Sequence, residues 1–296
     1  VENCRAVKMG LVAQVAQSYF ELMALDNELA IVRRTLEARR EGVRLAEIRF
    51  KGGLTSEIVF QQAKVELAKT ATMVPDLERR ISLKESEIAL LTGDFPYAVN
   101  RNVLPEEIQL PDALPLGLPS TLLERRPDIR KAEREVGLAY TNMFPRLALT
   151  ATLGAESETL RDLLKSPYSY LAGNLLSPLF AMGKNRAALK AKRAAYEGAV
   201  AEYEKTVLTA FKETHDAIIN FNKIKDIYES RRQLAEASRT AVELAQLQYI
   251  NGVIGYLDLL DAQRNYFDAQ VSLSNAVCNK QLMIINLYKA LGGGWK

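Results

Sequence analysis

The chain has 296 residues, 48% of them apolar and 25% charged, a composition that excludes a disordered polypeptide. Its formal charge of +3 is small, and no long run of like charge occurs, so no nucleic-acid partner is expected. No apolar run reaches the length of a membrane helix, so no helix of this chain is expected to span a bilayer.

Val1-Glu2-Asn3-Cys4-Arg5 already reads as helix interior, not as a signal peptide. The first helical run leads to Val43-Arg44-Leu45-Ala46-Glu47-Ile48-Arg49-Phe50-Lys51-Gly52-Gly53, where paired glycines predict a turn. Beyond it Phe60, Ala63, Leu67, Thr70, Val74, Leu77, Ile81, Lys84, Ile88 and Leu91 recur at alternating intervals of three and four. Such spacing is the seam of a coiled coil, and only Thr70 and Lys84 break its apolar character. Pro75 predicts a kink if this helix continues through it.

Pro96, Pro105, Pro111, Pro115, Pro119 and Pro127 then punctuate a stretch that predicts an extended crossover. A helix resumes at Pro127-Asp128-Ile129, since proline is tolerated in a first turn. Two segments have a different pattern, Arg146–Gly154 and Tyr168–Leu175. In the first, large apolar residues alternate with small or polar ones; the second is a weaker partner. Each is close to the length of a transmembrane β-strand, but an ordinary hairpin packed on helices fits the pattern equally well.

No proline follows Pro178, and between Lys184 and Ile250 the sole glycine is Gly198. An unbroken helix there spans ~100 Å. Its predicted seam is Val200, Tyr203, Val207, Ala210, Thr214, Ala217, Phe221, Ile224, Tyr228, Arg231, Ala235, Ser238, Val242, Ala245 and Tyr249. Only Thr214, Arg231 and Ser238 are not apolar. Asn251-Gly252 predicts a left-handed helix stop. A last helix follows from about Tyr256 to Leu291, with Leu259, Ala262, Tyr266, Ala269, Leu273, Ala276, Lys280, Met283, Leu287 and Ala290 as its seam. Gly292-Gly293-Gly294 ends it.

The two hairpins are copies. Val43–Gly53 parallels Val242–Gly252 at an offset of 199 residues, and the same offset superposes the seams of the second helices. At the far end, Leu91-Thr92-Gly93 matches Leu291-Gly292-Gly293 with a slip of one residue. A repeat of this size is longer than the period of common solenoids.

Chemistry-bearing residues are sparse. Cys4 and Cys278 lie far apart and indicate no disulfide framework. His215 reads as a structural or solvated histidine, and no catalytic constellation, cofactor or metal site is expected.

The stretch Leu110-Pro111-Asp112-Ala113-Leu114-Pro115-Leu116-Gly117-Leu118-Pro119-Ser120, with Leu123-Glu124-Arg125-Arg126-Pro127-Asp128-Ile129, resembles the crossover of TolC-type outer-membrane efflux proteins. Within that family it is most similar to the factors serving resistance–nodulation–division pumps. Phe144-Pro145, Leu179-Phe180 with Gly183, and the turns at Phe50/Gly53 and Tyr249/Gly252 fit the same resemblance, which runs from about Leu11 to the C-terminus.

The resemblance implies a mainly α fold with a small β part. Its duplicated long antiparallel hairpins join an α-barrel, and a β-hairpin joins a trimeric outer-membrane β-barrel. The implied division is residues 1–96 for the first helical hairpin and 97–125 for the equatorial crossover. Residues 126–145 form a helix leading to the strands, 146–180 the barrel hairpin, and 181–296 the second long hairpin. It implies a homotrimer in outer-membrane lipid, extending into the periplasm, with an adaptor protein and an inner-membrane pump as partners. The turns at Gly52, Gly53, Leu54, Asn251, Gly252 and Val253 would face the adaptor. Departures are the lack of a strand hairpin or lipid-anchored cysteine before the first helices, and a run from Arg130 to Phe144 shorter by roughly two turns of helix.

The same resemblance matches Asp258 and Asp261 to constriction aspartates, which in a three-fold assembly form acidic rings that select cations. Alternatively these acids simply suit the first turn of a helix. Tyr249 matches a lock tyrosine, though it also falls on the heptad seam. Ile254 and Val59 stand where the best-known lock carries an arginine and an aspartate, so a closed state needs other contacts, with Glu57, Arg49 and Lys51 as candidates. The expected function is passive conduction of exported small molecules through a duct gated at its periplasmic end. The competing expectation is a soluble coiled-coil scaffold or adaptor without a pore.

Overall fold

The computed structural model describes residues 2–101, 123–144, 148–155, 167–174 and 184–293. Most of the crossover, including Leu110–Ser120, and the segments around Pro145, Leu179 and Gly183 lie outside the described residues. The elements in chain order are helices α1 (Glu2–Lys51), α2 (Glu57–Thr92) and α3 (Pro127–Thr141), strands β1 (Ala148–Ala155) and β2 (Pro167–Asn174), and helices α4 (Lys184–Ile250) and α5 (Tyr256–Ala290). The chain divides into two compact units. One comprises residues 3–126 and 210–296, the other chiefly residues 127–209.

In the first unit the hydrophobic seams do the packing. Every predicted seam position of α2 and α5 is buried or half-buried. So is every one on α4 within this unit, from Ala210 to Tyr249, except Arg231, which is exposed. One core cluster joins Leu22, Leu25, Leu29 and Val32 of α1 to Leu77, Ile81 and Ile88 of α2. A second joins Ala217 and Phe221 of α4 to Leu287 and Ala290 of α5. Leu22, Leu77 and Leu287 are among the largest fully buried side chains, each contributing about 1.5–3 kcal/mol of transfer free energy.

The polar residues on the seams are accommodated individually. Lys84 reaches Glu21 at 2.9 Å and Glu87 at 2.7 Å. Lys280 lies with its ammonium 5.1 Å from the centroid of the Tyr228 ring, itself on the facing seam. Thr70 donates to the carbonyl of Glu66, and Thr214 to the carbonyls of Ala210 and Ala290. Both threonine hydroxyls therefore have acceptors, as burial of polar groups requires. The helix α2 runs unbroken through Pro75, which supplies no N–H to its ladder.

The hairpins are also joined to each other. Gln17 Nε2 donates to Asn286 Oδ1 at 2.8 Å, Asn27 Nδ2 to Ser274 Oγ at 2.9 Å, and the Cys278 thiol to the Phe20 carbonyl at 3.6 Å. All three contacts bind α1 to α5.

The helix ends repeat one device. Gly53, Gly93, Gly252 and Gly292 have φ of 70°, 82°, 73° and 86°. After each, the next N–H reaches back five residues: Leu54 to Arg49, Asp94 to Ala89, Val253 to Gln248, and Gly293 to Tyr288. This is the Schellman closure, which needs a left-handed residue and satisfies carbonyls a helix end leaves open. The pairs Gly53/Gly252 and Gly93/Gly292 share the offset of 199, so the one-residue slip expected from the sequence does not occur. The aligned glycine is Gly292, not Gly293, because the geometry follows the capping residue and not the flanking letters.

The conspicuous Leu123–Ile129 motif has a structural role at this end. Arg126 is buried, donates to the Ala290 carbonyl at 3.1 Å and pairs with Glu213 at 2.7 Å, sealing the C-terminus of α5. The backbone of Arg125 and Arg126 passes so close to Gly292 that a Cβ there would lie 3.1 Å from it.

In the second unit, β1 and β2 pair antiparallel from Ala148 opposite Asn174 to Ala155 opposite Pro167. The strands fall within two residues of both segments expected from the sequence. Tyr140 of α3 meets Tyr196 of α4 with ring centroids 5.9 Å apart.

The capping geometry makes a graded prediction. Gly53→Ala meets open space and bears only the left-handed strain, about 1–2 kcal/mol. Gly292→Ala adds crowding against Arg125, about 1–3 kcal/mol more. Denaturant midpoints of the two variants should therefore separate, and equal losses would remove any role for the Arg125 contact.

Candidate functional site

The tips of the two hairpins come together in one cluster. Ala46 of α1, Ala63 of α2, Tyr249 of α4, and Tyr256, Leu259 and Leu260 of α5 form a buried core. The α4–α5 turn exists because Gly252 stops α4 and extended Gly255 starts α5. Asp258 occupies the third position of α5, and its Oδ2 accepts from the Gly255 N–H at 3.0 Å. It therefore caps the helix, the local alternative foreseen from the sequence, while its position remains exposed. Asp261, one turn on, is 70% exposed at its side chain and 3.6 Å from Arg264 Nη1.

Tyr249 is only 5% exposed, so its seam position and its turn position coincide. Its ring meets Tyr256 edge-on at 5.8 Å, and the Arg49 guanidinium lies 4.7 Å from its centroid. Arg49 also donates to the Tyr249 carbonyl at 3.2 Å. The Tyr249 hydroxyl is buried without a hydrogen-bond partner. Burial holds both tyrosines above the usual phenol range. Of the three residues suggested for an alternative closure, Arg49 alone is seen to cross to the second hairpin. Lys51 pairs with Glu47 at 2.7 Å, and Glu57 accepts from Gln61 at 3.4 Å.

A more strongly buried charge was not singled out from the sequence. Glu66 of α2 is 4% exposed and meets three cations. Arg39 of α1 donates to its carboxylate at 2.6 Å and to its carbonyl at 2.7 Å. Arg264 of α5 also donates to the carboxylate, and Lys69 lies 3.5 Å away. Burial pushes the Glu66 carboxyl upward, but hydrogen bonds and charge from Arg264 and Arg39 outweigh it and hold it below the ordinary carboxylate range. The available signal was its place three residues after the seam residue Ala63, on the inward side of α2.

The turns Gly52-Gly53-Leu54 and Asn251-Gly252-Val253 are exposed, and their surroundings match across the copies. Ile48 and Leu247, Leu54 and Val253, and Ile58 and Leu257 are exposed apolar pairs related by the same offset. His215 is exposed, and among the described residues no group of three potential metal ligands occurs. No helix of the described residues is long and apolar enough to cross a membrane.

A family model for outer membrane efflux proteins matches residues 1–94 and 118–293. The chain belongs to that family. It is 34% identical to the outer membrane protein OprJ of Pseudomonas aeruginosa over 311 aligned positions, covering 99% of this chain and 64% of that protein. It is 32% identical to the solvent efflux pump outer membrane protein SrpC of Pseudomonas putida, again covering 99% of this chain and 64% of the relative. The crystal structure of a membrane protein from Pseudomonas aeruginosa is similar over 99% of this chain and 68% of its own, at 31% identity and a TM-score of 0.78. The chain thus spans just under two thirds of the length of these curated relatives. The OprJ alignment exceeds 296 positions, so that relative carries residues lacking a counterpart within the matched region.

The depressed Glu66 carboxyl gives a signed pH prediction. Its stabilisation is present above the ordinary value of 4.5 and is lost as pH falls through the lower folded value. Melting of wild type and Glu66→Gln should differ most near neutral pH and converge as pH falls progressively below 4.5. A gap independent of pH would show that the ion pair does not stabilise the fold.

Proposed function

We propose that this chain forms much of one protomer of the outer-membrane channel of a tripartite efflux system. In that reading it conducts exported small molecules passively and is gated at the hairpin tips. The observation that carries the gate is the joining of two similar tips in one chain, of which the second alone carries Asp258 and Asp261. The corresponding first-copy residues are Val59 and Gln62.

Three copies around an axis would place each acid in a ring of three. Such rings concentrate cations and bind divalent ions in a narrow pore. Capping of α5 by Asp258 is compatible with this role, because one oxygen engages Gly255 and the residue stays exposed. Tyr249 acts from behind, as a buried residue that sets where α4 ends, not as a pore-lining hydroxyl.

Trimerisation is supported by apolar surface left exposed among the described residues. Ile219, Leu244 and Leu247 are exposed on α4, on the side away from its seam. Neighbouring copies would cover them. The paired exposed residues Leu54/Val253 and Ile58/Leu257 at the turns suit contact with a periplasmic adaptor, and through it an inner-membrane pump. On this reading residues 1–96 and 181–296 build the α-barrel, 97–125 the equatorial crossover, and 126–145 the helix before the strands. Residues 146–180 would give a hairpin to a shared β-barrel in outer-membrane lipid. Family membership speaks against the scaffold alternative.

Single-channel recording of the intact protein tests the gate. Replacing Asp258 and Asp261 by alanine should raise conductance and weaken block by divalent cations. Unchanged conductance and block would count against the constriction. A protein that remains a monomer in detergent would sink the channel reading itself.

A further inference from the structure

The Arg39–Glu66–Arg264 cluster lies at the same end of the hairpins as the proposed constriction, and it joins three helices. Glu66 is nine residues into α2 and Arg264 eight residues into α5, so both sit near the turns. The carboxylate is buried and bound by two guanidiniums from different hairpins. Arg264 in turn approaches Asp261 at 3.6 Å. The chain of contacts therefore runs from the first hairpin to the exposed acid on the second.

The internal duplication supplies an independent observation. Shifted by 199 residues, Arg39 becomes Ser238, Glu66 becomes Asn265, and Arg264 corresponds to Val65. The seams, turns and glycine caps recur in both copies, yet this charged cluster occurs once. Building a long hairpin of this kind does not require it. A buried carboxylate is expensive unless paired, so a fold that can do without one retains it for something other than packing.

We propose that Glu66 and Arg39 are positioning residues of the constriction: Glu66, itself held by Arg39, clasps Arg264 and so holds the start of α5, and with it Asp261, against the first hairpin. The second hairpin cannot swing away alone until this clasp separates. This rests on reading Asp261 as a constriction residue. Arg264 is the accessible partner, 44% exposed at its side chain, so its replacement opens no cavity in the apolar core and leaves Arg39 still paired with Glu66. Glu66 is the buried partner, and its replacement tests the same contact from the other side.

The experiment records single channels of the intact protein in planar bilayers for Glu66→Gln, Arg264→Gln and the double variant, with melting curves as a check on folding. Each single change should shift the closed-to-open ratio by about tenfold toward open, a coupling of ordinary size for contacting charges, and the double change should add nothing further. Additive effects, or well-folded variants with wild-type gating, overturn the clasp. Should Glu66→Gln fail to fold, Arg264→Gln alone decides. Asp261→Ala separates the two readings. If it leaves conductance unaltered while Arg264→Gln opens the channel, the constriction assignment falls and the clasp stands. If Asp261→Ala raises conductance and Arg264→Gln does nothing, the clasp falls and the constriction stands.

Discussion

A helix of 67 residues that carries an apolar seam along its length cannot leave that seam in water. Nearly all of its stability must come from burying one apolar stripe against neighbours of comparable length. That constraint organises the molecule. It explains why α4 lacks proline and carries glycine only at Gly198, and why its partner helix repeats the three-four spacing. It also explains why polar residues on the seam are tolerated only with local compensation, as Lys280 has on Tyr228 and Lys84 has between Glu21 and Glu87.

The same constraint made much of the fold legible in the sequence. A seam is a periodic signal extending over many turns, so a single exception such as Arg231 does not erase it. Turns were legible because left-handed closure admits few residues, and Gly53 and Gly252 announce it. What escaped were contacts made between helices that are remote in sequence. Glu66 and Arg264 are separated by 198 positions, so the inward place of Glu66 on α2 was legible but its partner was not. The slip misassigned at Gly292 and Gly293 has a related cause: adjacent glycines are identical as letters, both are left-handed, and only the backbone hydrogen bonds show which one closes the helix.

Duplication and asymmetry divide the labour. What recurs at the offset of 199 serves architecture: seams, caps and exposed apolar residues at the turns. What occurs once is electrostatic: Asp258, Asp261 and the charges around Glu66. Tyr249 belongs to both classes. Its first-copy counterpart, Phe50, stacks on Phe60 at 6.0 Å, whereas Tyr249 has turned inward against Tyr256 and carries a hydroxyl that finds no partner. Leaving a buried hydroxyl unpaired costs about 1–3 kcal/mol, so the tip is not at the lowest energy its composition allows.

Cys278 donates its thiol to the carbonyl of Phe20 across the boundary between α5 and α1, while Cys4 is exposed. Burial, with a smaller contribution from Glu21, pushes the Cys278 thiol up to about 11. At neutral pH the reactive thiolate is then only about one part in ten thousand of that site. Alkylating reagents will label Cys4 first and reach Cys278 only where α1 and α5 part. The chain thus contains its own chemical clock for separation of the hairpins, one that needs no introduced probe and leaves the charged residues at the tips unaltered.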